Sequence, residues 1–403
     1  MIRQAVEGPA LSGSSKAWVT KFYTDRAFQP AFTSRGQLTY AAEQLRNSMI
    51  TDIPSHGLIL ADYLTPAIQS YFAAPLLEGA WLRAEIDLAK AFVDASIHMS
   101  IGRLDLKSLA NSGTPQTKTR FKDVKFERRA FTKWADLQSA VGAEGFQSVW
   151  NRIAPQHKIY SNLKSILASL RAVQAAGGFK AISPTSATLR VGSSHAVVAQ
   201  LKARAKALGY FVTVLDNRFD QELSDIVRDI QKSNLASPTG YLSPGDKSGW
   251  EAFGVTSERR INQVELNMEK VRWLPEALEE RHIFVNLAIQ ELTVVDPGLM
   301  NPLLKDMPVI VGQPLRKTPS MRDMVTDVVL NPTWTVPTTV FVEDKVPQIR
   351  EIIATQGLLG VNTYFFDHQF SVKSGDLKET LSPDSIDWIN IDPRNTDIYV
   401  VQA

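Results

Sequence analysis

Chemistry in this chain must be done without sulfur nucleophiles, because its 403 residues include no cysteine. Disulfides, thiolate metal ligands and thiol catalysis within the sequence are thereby excluded. The six histidines, His56, His98, His157, His195, His282 and His368, are scattered, and none stands in an HExxH or other short metal-ligand spacing. No metal or cofactor is implied. His368 lies near Ser371 and Ser374 in "YFFDHQFSVKSGD", but spacing alone cannot supply an oriented acid–His–Ser geometry. A surface loop histidine is the plainer reading, and His282 reads as the structural head of a strand. Acidic pairs exist by count only, Asp367 with Asp376 and Glu78 with Glu85, and read as ordinary surface carboxylates. The run Lys118, Arg120, Lys122, Lys125, Arg128 and Arg129 could meet an acidic ligand, though a solvated surface explains it more simply.

One aromatic residue has an unusual setting. In "VVLNPTWTVPTT" (328–339) Trp334 stands between Pro332 and Pro337. Each proline lacks the N–H that a central strand needs. The segment is therefore expected to leave the sheet on a stiff, extended course, with Asn331 and Val336 held in β or polyproline geometry by the prolines after them. Trp334 then has a nearly fixed position, as a core plug or as the lining of a groove.

The elements that would position these residues change along the chain. Residues 1 to about 187 read as helical. Leu82, Ile86, Ala89, Val93 and Ile97 recur at helical steps before Gly102, and Ile159, Leu163, Ile166, Leu167 and Leu170 do so before Gly177 and Gly178. The polar stretch 103–130 reads as an exposed loop or short hairpin. Three short helices follow from Leu189. The first buries Val197, Leu201, Ala205 and Leu208, with Ser193 or Ser194 as its cap and Gly209 as its end; Asp220 caps the second. A longer helix with the stripe Ile261, Val264, Met268 and Val271 ends by Pro275. After residue 281 the period becomes two: "HIFVNLAIQELTVVD", "MPVIVG", "DVVL" and "NTDIYVVQA" read as strands.

Bulk numbers restrict the function class. The chain has 44% apolar and 21% charged residues, with 44 basic and 42 acidic side chains giving +2. That balance offers no electrostatic case for nucleic acid or an anionic membrane surface. No apolar run is long enough to span a bilayer, and the N-terminus lacks a signal-peptide layout.

Three segments resemble the large scaffold-domain class of bacterial L,D-transpeptidases. In "LRVGSSHAVVAQLKARAKALGYF…FDQELSDIVRDIQ…GYLSPGDKSGWEAF", Leu208-Gly209-Tyr210, Asp220, Ile230-Gln231 and Gly240 fall where a peptidoglycan-binding-like module carries its helix ends and turn. "NMEKVRWLP" (267–275) is similar to the helix end that joins this module to the catalytic domain. "PVIVGQPLRKTPSM…VVLNPTWTVP" resembles the opening half of that domain, and "FYTDRAFQPAF" (22–32) and "GRLDL" (102–106) fit the helical scaffold domain. The resemblance implies a multidomain α+β chain: an all-helical scaffold domain at 1–187, a three-helix module at 188–255, a linking helix at 256–280 and an incomplete, mostly β catalytic domain at 281–403.

The same resemblance implies a reaction. In the family a cysteine thiolate, its pKa lowered by a nearby histidine, attacks a diaminopimelate carbonyl of a donor tetrapeptide and releases D-alanine; an acceptor amine then takes the acyl group. Backbone N–H donors stabilise the oxyanion. The histidine and the Ser-x-Gly-Cys-type segment follow the region matched here, so the chain is expected to stop inside the catalytic domain, to name no catalytic residue and to be inactive by itself. Its last strand is expected to be an uncovered edge, with proteolysis trimming the region after 281 back toward Pro275. What remains is substrate contact: Asn331, Trp334 and Arg316, with Lys317 beside it, for peptide stems, and Tyr210 and Tyr241 (with Phe211 and Trp250) for glycan, or else as core residues of a very small domain. The implied partner is peptidoglycan, in the periplasm. Two alternatives stay open: a non-catalytic peptidoglycan-binding or scaffolding protein, and a muramidase or amidase, which would need a carboxylate pair or zinc ligands.

Overall fold

The helix read at 82–101 is the axis of the N-terminal half. In the computed structural model α1 (Ile2–Glu7), α2 (Gly13–Asp25), α3 (Tyr40–Ser55) and α4 (Pro66–Ala73) precede α5 (Trp81–Ile101). α6 (Trp134–Val141), α7 (Phe146–Ile153) and α8 (Lys158–Ala175) follow it. The described residues are 1–8, 13–105, 129–142, 144–179, 181–233, 237–298, 303–312, 317–375, 379–392, 394 and 396–402. Of the basic run, Lys118 to Arg128 lie outside them; Arg129 reaches the Ser100 and Arg272 carbonyls. The chain forms two compact units, Met1–Met321 and Arg322–Ala403.

α5 is apolar on nearly every face and is accordingly buried almost throughout. Phe92 at its centre meets Phe22, Phe32 and Phe146 edge-on and lies tilted against Trp150. Glu85, read as a surface carboxylate, is a correction: it has no exposure. Its Oε1 accepts from the Tyr23 hydroxyl and the Ala31 N–H, both at 2.6 Å, and its Oε2 from the Phe32 N–H at 2.9 Å and the Thr33 hydroxyl at 2.8 Å. This carboxylate organises the turn that leads into the small hairpin of β1 (Thr33–Ser34) and β2 (Gln37–Leu38).

The helix taken as a linker, α12 (Ser257–Arg272), is built into the same core, with Val264, Met268 and Val271 packed among the residues of the helical domain. "NMEKVRW" thereby gains a structural meaning. Glu269 accepts from the Arg103 and Leu104 N–H groups at 2.6 and 2.9 Å and from Trp273 Nε1 at 3.2 Å. The buried Arg272 donates to the Met99 and His56 carbonyls, the Tyr160 hydroxyl and Glu269. Gly102, which ends α5 at φ +84°, lies under this clasp: a Cβ there would stand 2.8 Å from Glu269 Oε1 and 2.9 Å from Trp273 Nε1.

Between these segments α9 (Ala196–Ala207), α10 (Gln221–Ser233) and α11 (Lys247–Gly254) enclose a second core around Leu201, Phe219, Leu223, Val227, Leu242 and Phe253. Asp220 caps α10 through the Leu223 N–H, as its position implied. α9 is capped by His195, whose Nδ1 accepts from the Val197 N–H, and not by Ser193 or Ser194.

The stretch read as one alternating strand folds into a hairpin of β3 (His282–Asn286) and β4 (Glu291–Val295), and β5 (Leu303–Pro308) completes an antiparallel sheet. "DVVL" forms no strand; Val328, Val329 and Leu330 are exposed. Their apolar, β-branched character is not enough without a ladder partner.

The second unit holds the 22-residue α13 (Val346–Asp367), which the period-two reading missed, and the strands β6 (Trp334–Thr335), β7 (Phe370–Lys373), β8 (Thr380–Leu381) and β9 (Tyr399–Gln402). The sheet order is β6-β9-β7-β8, all antiparallel. The final strand, expected at an open edge, is therefore interior, paired on one side with β6 and on the other with β7. Val336, Phe341, Val346, Ile349, Phe365 and Trp388 pack with Val372 and Val400 as the core.

Candidate functional site

The aromatic residues expected to meet glycan differ in their settings. Trp250 is buried and donates its indole N–H to the Ser243 carbonyl at 2.7 Å, so it belongs to the core. Tyr210 is half-buried, and its hydroxyl donates to Asp229 at 2.7 Å. Burial, and then the Asp229 carboxylate, pushes its pKa up to about 12. Tyr241 is exposed while its carbonyl accepts from Gln231 Nε2, and Phe211 is 81% exposed.

The cavity of this module lies elsewhere, at the junction of α11 with the start of α12. It measures about 440 Å³. Ile182, Pro184, Pro244 and the edge of Trp250 give it apolar walls, and Lys247, Glu251 and Arg259 give it a charged rim. Its wall is held by Arg204, whose guanidinium donates to the Phe253 and Val255 carbonyls and lies over the Phe179 ring at 4.2 Å. Thr256 caps α12 at its margin through the Arg259 N–H. Its lining thus combines apolar walls with the exposed charges of Lys247 and Glu251. No side chain lining it is a nucleophile beside a general base.

In the second unit Trp334 sits on the edge strand β6 opposite Gln402 and is 45% exposed. The two prolines flank that short strand, the place where a missing N–H costs least. The plug is the neighbouring Val336, which is buried and donates its N–H to the Val400 carbonyl at 2.8 Å. Asn331 is exposed and adopts φ +50°, a left-handed conformation in place of the extended one expected before proline. Asn is among the few residues that tolerate it. Arg316 lies outside the described residues; Lys317 is exposed.

His368 and Ser371 do not form a catalytic pair. His368 Nδ1 is 2.9 Å from the Tyr364 carbonyl and so carries the proton, and its ring stacks on Phe370 at 5.8 Å with planes 7° apart. The Ser371 hydroxyl is directed to the Val401 carbonyl. Asp376 lies outside the described residues, and among those residues no group of three or more His, Asp or Glu could hold a metal ion.

A polar cavity in the helical domain was not read from the sequence. Asp52 and His56 stand four residues apart, as do Tyr160 and Lys164, and that spacing was the only signal. Lys164 Nζ lies 2.9 Å from His56 Nε2 and 2.9 Å from Asn151 Oδ1, and His56 Nδ1 lies 3.0 Å from the Tyr160 hydroxyl. His56 is buried; that burial, with the Lys164 and Arg272 charges, depresses its pKa to about 3.

Residues 17–167 match the family model of the Scaffold domain, and residues 280–399 match that of the L,D-transpeptidase catalytic domain. A Haemophilus influenzae protein named "Putative L,D-transpeptidase" is 29% identical over 140 residues, which are 34% of this chain and 26% of that protein. The chain thus covers about a quarter of the length of the curated relative it matches. No helix among the described residues is long and apolar enough to cross a membrane.

Proposed function

With a Scaffold domain and an L,D-transpeptidase catalytic domain in one chain, we propose that this polypeptide provides the frame and the substrate-contacting surfaces of a periplasmic peptidoglycan L,D-transpeptidase. The reaction is acyl transfer from a donor tetrapeptide stem to an acceptor amine through a cysteine thioester. These 403 residues contain no cysteine, so they hold and present substrate and do not form the thioester themselves.

Peptide stems are met at the edge of the second unit's sheet by the exposed Trp334 and by Asn331. Arg316, which lies outside the described residues, is assigned to a stem carboxylate by its residue type alone. Glycan is met in the three-helix module at Tyr241 and along the cavity floored by Trp250. Tyr210, its hydroxyl tied to Asp229, offers only its ring. The domain boundaries that go with this reading are 1–187, 188–255, 256–280 and 281–403. The observation that carries it is the order of matched domains along the chain, with a half-exposed Trp held on a proline-flanked edge strand inside the catalytic match.

The test is co-sedimentation of the purified chain with insoluble sacculi, together with a cross-linking assay on tetrapeptide-rich peptidoglycan. Binding without cross-link formation is expected, and Trp334→Ala should weaken binding while leaving the chain folded. Failure to bind sacculi refutes the substrate-contact reading. The absence of a thiol also suits a non-catalytic peptidoglycan-binding protein, and cross-linking by the chain alone would exclude both readings.

A further inference from the structure

We propose that the cavity between the end of α3 and the first turns of α8 is a receptor for a small carboxylate end group, bound by Lys164 and Tyr160. The cavity measures about 150 Å³ and is lined by His56, Asn151, Pro155, His157, Tyr160 and Lys164, among others. The inference is independent of the wall-enzyme reading, because it rests on hydrogen-bond supply and demand at this site.

An ammonium group has three donors and no acceptor. Lys164 directs one to His56 Nε2 and one to Asn151 Oδ1, which leaves a third. Because Nε2 accepts, the neutral imidazole carries its proton on Nδ1 and donates it to the Tyr160 oxygen, 3.0 Å away. That oxygen also accepts from Arg272 Nη2 at 2.9 Å. Both of its lone pairs are then filled, and the phenolic proton has no acceptor among its recorded partners. Tyr160 is almost wholly buried yet lines the cavity. Two donors without acceptors therefore border one small space, and a carboxylate has two oxygens to satisfy them.

Charge favours the same ligand class. Lys164 borders the space and Arg272 stands behind Tyr160. Of the two nearby carboxylates, Glu269 is held by Arg272, Trp273 Nε1 and the Arg103 and Leu104 N–H groups. Asp52 accepts from Gln147 and does not line the cavity; burial raises its pKa, against the opposing effects of the Gln147 bond and the Lys164 charge. Ala154 and Pro155 supply an apolar wall for the carbon that bears the carboxylate.

The experiment is isothermal titration calorimetry on the full chain with N-acetylalanine, its neutral amide and inorganic phosphate as probes. N-acetylalanine should bind, and the amide should bind about tenfold more weakly or not at all, since one charge-assisted contact is lost. Lys164→Met should lose binding by a similar factor with its thermal midpoint near the parent's, Lys164→Arg should retain part of it, and Lys21→Ala on the exposed face of α2 should leave it unchanged. Equal binding of acid and amide, binding of phosphate but not of the carboxylate, or full binding by a folded Lys164→Met overturns the proposal. Sacculus binding by Lys164→Met tests the wall-enzyme reading separately, because that reading does not use this cavity.

Discussion

Replacing Glu85 by Gln removes one acceptor oxygen from a fully buried site. In the parent each oxygen takes two donors: Oε1 the Tyr23 hydroxyl and the Ala31 N–H, Oε2 the Phe32 N–H and the Thr33 hydroxyl. If the amide oxygen of Gln keeps the Oε1 position, its NH2 meets the Phe32 N–H head-on. Thr33 can rotate its hydroxyl to accept, but a backbone N–H cannot. One buried donor is left unpaired, at roughly 1–3 kcal/mol. The remaining contacts also lose their charge-assisted strength, which adds about 1 kcal/mol. A loss of about 3 kcal/mol corresponds to a fall of roughly 6–12 °C in the midpoint of a domain of this size. Differential scanning calorimetry of the full chain would follow the transition of the helical domain, with Glu78→Gln as the control, since Glu78 is exposed. A Glu85→Gln protein within about 0.5 kcal/mol of the parent, the range of ordinary surface substitutions, would refute the claim that this carboxylate organises the turn.

Three other outcomes are expected. His56 has a folded pKa near 3 against about 6.5 when unfolded. Between those values the unfolded chain binds the proton and the folded chain does not, so stability is highest above pH 6.5 and falls as pH drops. The loss from this group is about 2 kcal/mol by pH 5, and denaturant titrations at pH 7 and pH 5 should show a smaller difference in His56→Gln. Gly102→Ala should lower the thermal midpoint of the helical domain by several degrees, about 2–4 kcal/mol, because a left-handed backbone and a blocked approach of Glu269 and Trp273 coincide there; an unchanged midpoint would remove the clasp from the account. Trp388→Ala should destabilise the second unit by about 3–5 kcal/mol, while Trp334→Ala should cost it little; limited proteolysis of the two variants distinguishes them.

Much of the architecture was legible because long, regular periods have one solution. α5, α8 and α12 were read with nearly their observed ends, and the resemblance that rested on "NMEKVRWLP" and "NPTWTVP" agreed with the domains later matched. α13 was missed for a physical reason: Gly357 interrupts it at φ +68°, and its apolar residues keep no single face. "DVVL" was misread because composition says nothing of a partner strand. The exposure of Trp334 was half legible, since prolines restrict a strand to an edge but do not say which way the ring faces.

The polar errors share a cause that the sequence did contain. A helix whose apolar residues cover every face must be surrounded, so any polar residue within it is buried and needs partners. α5 is such a helix, and Glu85, Asp94 and Ser96 within it each have partners, although Asp94 Oδ1 itself has none. Glu85 has its four donors; Asp94 accepts from Ser15 at 3.1 Å and from Lys90; and Ser96 donates to the Phe92 carbonyl while accepting from Trp150 Nε1 at 2.8 Å. Counting Glu85 as a surface carboxylate judged it by type when the pattern around it had already set its position. The partners themselves could not be read, since Tyr23 and Thr33 are 62 and 52 residues away in sequence. The burial of a polar group follows from its own helix, and the identity of what satisfies it follows only from the fold.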